Sequence, residues 1–222
     1  MEIEEEEFGG KIVILEEGDD LDAVPKSHRK LLTSEILAWW ADPVRAMLNI
    51  ADRAQSKPMR KWFRALAKHG DWELLLHKQA YTKATQAGFS FNGPNGVRGT
   101  EIVPPLSGLV LDHLPPALAV HNSLVQLVDW MGFGCAGQLH GGTEYQPLEL
   151  VVAGDHPEID DEEAFVLAIG PCGDVLFFTT DDRAGWAAHD GPQTRMLGTV
   201  ADAIDWVYSE LLADRCPDLR SN

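Results

Sequence analysis

The stretch AFVLAIGPCGDVLFFTTDDRAGWAAHD, residues 164–190, decides the fold. Two apolar runs of strand length, 164–170 and 174–180, and a weaker third, 184–190, are rich in β-branched and aromatic side chains. Short connections bearing Gly, Pro and Asp separate them, which is the grammar of consecutive antiparallel strands joined by tight turns. The same stretch holds Asp181-Asp182 and His189-Asp190, four side chains able to bind a metal or move a proton. Whether they act together is a question the rest of the chain has to answer.

Outward from this stretch, TVADAIDWVYSELL (199–212) reads as a helix. Thr199 is placed to cap it, and Val200, Ile204, Val207, Tyr208 and Leu211 form one apolar stripe. On the other side, LELVVAG (148–154) reads as a strand. LPPALAVHNSLVQLVDWMG (114–132) opens with prolines suited to a first helical turn and predicts a helix of about 14 residues. A helix, several strands at short spacing and a closing helix describe an α+β fold with a mainly antiparallel sheet flanked by helices.

The loop signal FNGPNGVRGT (91–100) divides the chain into a mainly helical N-terminal segment, 1–100, and an α+β domain, 101–222. KIVILEE (11–17) is a short β-type run. Asp42-Pro43 and Pro58 mark two helix starts, and Gly70 ends the second. A third helix is expected from Trp72 to Gly88 behind Asp71, because Trp72, Leu75, Leu76, Gln79 and Ala80 fall at helical spacing.

With 222 residues, 45% of them hydrophobic, the chain is long enough to bury a normal core. The start MEIEEEEFGG is acidic where a secretory signal carries positive charge, and no long uncharged apolar run follows, so a cytosolic protein is expected. Cys135, Cys172 and Cys216 are widely spaced and form no C-x-x-C, which suggests reduced thiols instead of a disulfide framework or zinc knuckle. The net charge of −17 is uneven: residues 1–25 carry −9, residues 26–98 carry +8 and residues 99–222 carry −16. A C-terminal half of that charge repels nucleic acid and anionic membranes and suits a basic protein partner. The basic segment RKWFRALAK (60–68) reads as the polar face of an amphipathic helix, with some bases pairing the chain's own acids.

Few motifs carry chemistry. GFGCAG (132–137) matches G-x-G-x-x-G but follows an expected helix and leads into an expected loop, the reverse of the context a dinucleotide needs, so no cofactor is expected. His140, His156 and His189 could converge as ligands of a metal-dependent hydrolase, yet no ligand-pair spacing supports them and no metal ligand is assigned. DHPEIDDEEAF (155–165) is the densest acidic feature beyond the N-terminus. Such a run is commonly a solvated loop; the competing interpretation is a docking surface that speeds association with a basic partner.

Four quoted segments resemble the SMI1/KNR4 group, also called the SUKH superfamily. They are the Leu-Pro step into the helix at 114–132, the strand, Gly173-Asp174 turn and strand of FVLAIGPCGDVLFFTT, the short strand GWAAHD ending in His and acid, and the closing helix LGTVADAIDWVYSEL. The resemblance covers about residues 106–213. It implies a non-enzymatic α+β domain whose bacterial members are commonly immunity proteins that neutralise toxins, often nucleases, used between competing bacteria. On that basis a cognate protein toxin is the expected partner. The expected contact residues are Asp155, Asp160, Asp161, Glu162, Glu163, Asp181 and Asp182, with the N-terminal segment as a specificity element. A metal-dependent hydrolase and a non-catalytic scaffold with several partners stand as alternatives.

Overall fold

The computed structural model describes residues 1–5, 10–78, 85–92, 99–105, 108, 110–132, 135–140, 145–152, 159, 163–170, 173–213 and 215. Its strands are β1 (Glu2–Glu5), β2 (Lys11–Leu15), β3 (Trp72–Lys78), β4 (Thr85–Asn92), β5 (Gly99–Val103), β6 (Leu127–Gly132), β7 (Cys135–His140), β8 (Ala164–Ile169), β9 (Val175–Thr179), β10 (Arg183–Ala187) and β11 (Thr194–Thr199). They form one sheet in chain order, and each neighbouring pair is antiparallel. The helices are α1 (Lys26–Arg29), α2 (Ser34–Ala41), α3 (Pro43–Arg53), α4 (Lys57–His69), α5 (Pro116–Asn122) and α6 (Val200–Leu212). The chain therefore has the expected α+β class with an antiparallel sheet flanked by helices.

Register explains why the sheet holds together. Leu15, Leu74, Phe89, Ile102, Val128, Leu139, Ala168, Leu176 and Trp186 lie directly opposite one another, strand after strand from β2 to β10. All nine are fully buried. A slip of one residue on any strand would turn its member of this row to the other face, so the row fixes the register. The helices lie over it. Met59, Trp62, Phe63 and Leu66 of α4 meet Ile204, Val207 and Tyr208 of α6 in the main core, and Ile36, Trp39 and Trp40 of α2 cover Phe89 and its neighbours.

Strand β9 is buried at all five positions because both faces are covered. Leu176 and Phe178 face the helices, whereas Val175 and Phe177 join Leu148, Val152 and Ile159 on the other side. That double burial is why its sequence is a continuous apolar run with no polar alternation. The edge strands differ: β1 reads Glu-Ile-Glu-Glu and β11 is largely exposed, which discourages further strand pairing.

Several expectations are corrected. The expected helix from Trp72 to Gly88 is replaced, over the described residues 72–78 and 85–88, by the paired antiparallel strands β3 and β4, with Leu74 and Leu76 inward by strand alternation; residues 79–84 lie outside the described residues. The helical stripe and this alternation share the apolar cluster at 72–76, and pairing of Leu74 with Phe89 decides between them. The helix expected over 114–132 stops at Asn122, and Leu127–Gly132 is strand β6. The segment after it, expected as loop, supplies β7 up to His140. Leu148–Leu150 is a 3₁₀ turn instead of a strand. Strands β1, β5 and β11 stand where the sequence signalled none, and β4 and β5 take in both ends of the expected loop 91–100. The N-terminal 100 residues hold helices α1–α4 but also β1–β4, and β4 pairs with β5 across the loop signal, so one sheet crosses the expected boundary.

Candidate functional site

The turn between β9 and β10 carries Asp181 and Asp182. Thr179, fully enclosed at the end of β9, donates its hydroxyl to the Asp181 carboxylate and accepts the Arg183 backbone N–H at 3.1 Å. The Arg183 guanidinium reaches Asp181 at 2.8 Å. The Thr179 hydroxyl first, and Arg183 second, hold the Asp181 carboxyl below the usual aspartate range. Asp182 takes a left-handed conformation, φ 67°, which Asp tolerates in tight turns. One of its carboxylate oxygens, Oδ1, is enclosed and has no hydrogen-bond partner among the described residues.

Ala164 pairs with Thr179. Glu163, exposed and immediately before β8, therefore sits at the same end of the sheet as Asp181 and Asp182. Arg183 lies opposite Thr199, so the N-terminus of α6 with Asp202 opens at that end too. The structure thus brings together Glu163, Asp181 and Asp182 from the expected set. Asp155, Asp160, Asp161 and Glu162 lie outside the described residues, as does His156. Ile159, within that acidic run, is buried against the far face of β8–β10.

His189-Asp190 belongs to the other end. Strand β10 separates it from Asp181-Asp182, and five strand residues span about 17 Å. Its neighbour there is Asp174, a fully buried carboxylate in the turn between β8 and β9, which accepts the His189 backbone N–H at 3.4 Å. Gly173 precedes it with φ 83°, and the His189 ring lies so close over Gly173 that a Cβ there would come within 3.2 Å of Cγ. Among the described residues, Asp174, His189 and Asp190 are the group whose donor atoms converge as metal ligands do. The backbone of His140 lies on β7, three strand spacings or about 14 Å from β10.

Sequence reasoning did not find a buried polar chain beside α6. Tyr208 and His121 approach at 3.0 Å, His121 Nδ1 and Asn122 Oδ1 at 3.2 Å, and Asn122 donates its amide to the Tyr145 hydroxyl. Asn122 Oδ1 can only accept, so His121 Nδ1 donates to it; with the ring kept neutral by burial, Nε2 accepts from the Tyr208 hydroxyl. Burial pushes the His121 pKa down to about 4 and the Tyr208 hydroxyl well above the ordinary tyrosine value. A cleft of about 180 Å³ opens beside His121, lined mainly by Met59, Val120 and Ile204 with Asp205 at its polar side. The polar chain ties α5 to α6 and to Tyr145, and presents no activated nucleophile. A second half-buried pair, His77 and Glu101 at 3.2 Å, lies on the sheet face away from the helices.

No helix among the described residues is long and apolar enough to cross a membrane. Comparison of the chain with protein-family models, with curated proteins and with solved structures finds no match.

Proposed function

We propose that this chain is an immunity protein of the SUKH type. It binds a cognate bacterial toxin of basic character, such as a nuclease, in the cytosol of the cell it protects, and blocks the toxin's active site without chemistry of its own. The observation that carries this reading is the gathering of Glu163, Asp181 and Asp182 on one rigid sheet end, within a C-terminal half of charge −16. Carboxylates held on a packed scaffold lose little freedom on binding. The same field disfavours nucleic acid and anionic lipid.

Co-expression with the toxin domain encoded by the adjacent gene tests the proposal. Growth restored by the wild-type chain, and lost with Glu163→Lys, Asp181→Lys and Asp182→Asn combined, is the expected outcome. Unrestored growth together with no complex at low salt would rule it out. Asp182 is replaced by Asn because Asn keeps the left-handed turn while removing the charge.

A further inference from the structure

We propose that Asp174, His189 and Asp190 form a binding site for a zinc-like divalent cation that clips together two hairpin turns at the sheet end opposite Asp181-Asp182. The proposal stands on geometry and does not depend on the toxin-binding reading.

One ligand atom from each of the three side chains lies within 4.8 Å of the other two. Donors of a four-coordinate ion at about 2.1 Å lie about 3.4 Å apart, so closure needs the donor pairs to approach by up to about 1.4 Å. His189 Nδ1 and Asp190 Oδ1 are already 4.0 Å apart. That separation is too long for a hydrogen bond and about 0.6 Å longer than the spacing of two donors on a four-coordinate ion. No hydrogen bond occupies the His189 imidazole among the described residues, and the ring lies close over Gly173. A side chain at Gly173 would displace the ring, and φ 83° makes glycine the favoured residue there.

The donor set selects the ion. One imidazole nitrogen and two carboxylate oxygens suit Zn²⁺ or Co²⁺, whereas Mg²⁺ and Ca²⁺ prefer oxygen alone. Three protein ligands leave a fourth position for water. Asp174 is the buried anchor; His189 and Asp190 are exposed, so an ion reaches them from solvent. In a chain of net charge −17, taking up two positive charges between two carboxylates is electrostatically favoured. Because Asp174 belongs to the turn between β8 and β9 and His189-Asp190 to the chain after β10, the ion would add a link between two connections that the Asp174–His189 backbone contact already brings together.

The test uses the full chain after chelator treatment. Titration with ZnCl₂ by calorimetry should give one ion per chain and a rise in melting temperature, with MgCl₂ giving neither. CoCl₂ should produce the intensified visible band of four- or five-coordinate cobalt. Asp190→Asn, an exposed and conservative change, should weaken Zn²⁺ binding at least tenfold, and His189→Gln should abolish the cobalt band. Zn²⁺ binding of unchanged strength in both variants, as ligation by the cysteines would give, overturns the proposal; so does absence of stoichiometric binding to the wild-type chain.

Discussion

His121 shows how one buried side chain ties pH to stability. It is enclosed and neutral in the fold, with a pKa of about 4, whereas in the unfolded chain it titrates near its ordinary 6.5. Between these values the unfolded state holds the extra proton, so stability falls as pH drops from 6.5 toward 4, by about 3 kcal/mol in total. His121→Gln removes this titration. Denaturant melts across that range should show a shallower pH dependence for the variant; an unchanged slope would contradict a neutral buried imidazole. The Asp181 carboxyl acts in a lower pH range, in the same direction. Its lowered pKa means that its contribution is in place above the ordinary aspartate range and is lost as pH falls through the lowered value. At this scale the sequence showed which residues carry chemistry but not which meet. Asp181-Asp182 and His189-Asp190 are close in sequence, yet β10 holds them at opposite ends, and Asp174 became the neighbour of His189 only through strand pairing.

The elements divide according to how local their causes are. Helix α6 was legible because its start is self-contained: Thr199 accepts from the Asp202 backbone N–H while the Asp202 carboxylate accepts from the Thr199 backbone, a reciprocal cap. Thr199→Ala should therefore cost about 1 kcal/mol in urea unfolding, and a loss below a few tenths would show the cap to be idle. Strand β9 was legible because burial on both faces leaves an unbroken apolar run. Strand β3 was not, since its apolar residues Trp72, Leu74, Leu75 and Leu76 satisfy a helix and a strand alike, and its fate depends on β2 and β4 supplying Val13, Leu15, Ala87 and Phe89. Helix α5 is short for a similar reason: Val128 is needed opposite Ile102 and Leu139. Gly185 offers a further test at this scale. A Cβ there would come within 2.6 Å of the Arg195 carbonyl oxygen, beside the irregularity that lets β10 pair with β11. Gly185→Ala should destabilise by about 1–3 kcal/mol, measured by thermal unfolding, and a neutral result would show that the bulge yields.

The whole molecule is a polar object in the electrical sense. Exposed Lys57, Lys61, Arg64 and Lys68 line the outer side of α4, where Arg64 pairs with Asp52 at 3.1 Å, while the sheet end at Glu163 and Asp181-Asp182 is acidic. This bears out the sequence reading of α4 as amphipathic, since its other face buries Met59, Trp62, Phe63 and Leu66. The acidic sheet end was half legible: composition located the negative charge, but only the register of β8 against β9 put Glu163 beside Asp181. If that surface steers a basic partner, association should slow with added salt, while dissociation changes little. The most direct measurement is stopped-flow association of the full chain with its cognate toxin domain, comparing wild type with the combined Glu163→Lys, Asp181→Lys, Asp182→Asn variant at low salt. The account predicts an association rate at least tenfold slower in the variant; equal association rates for the two proteins would contradict it.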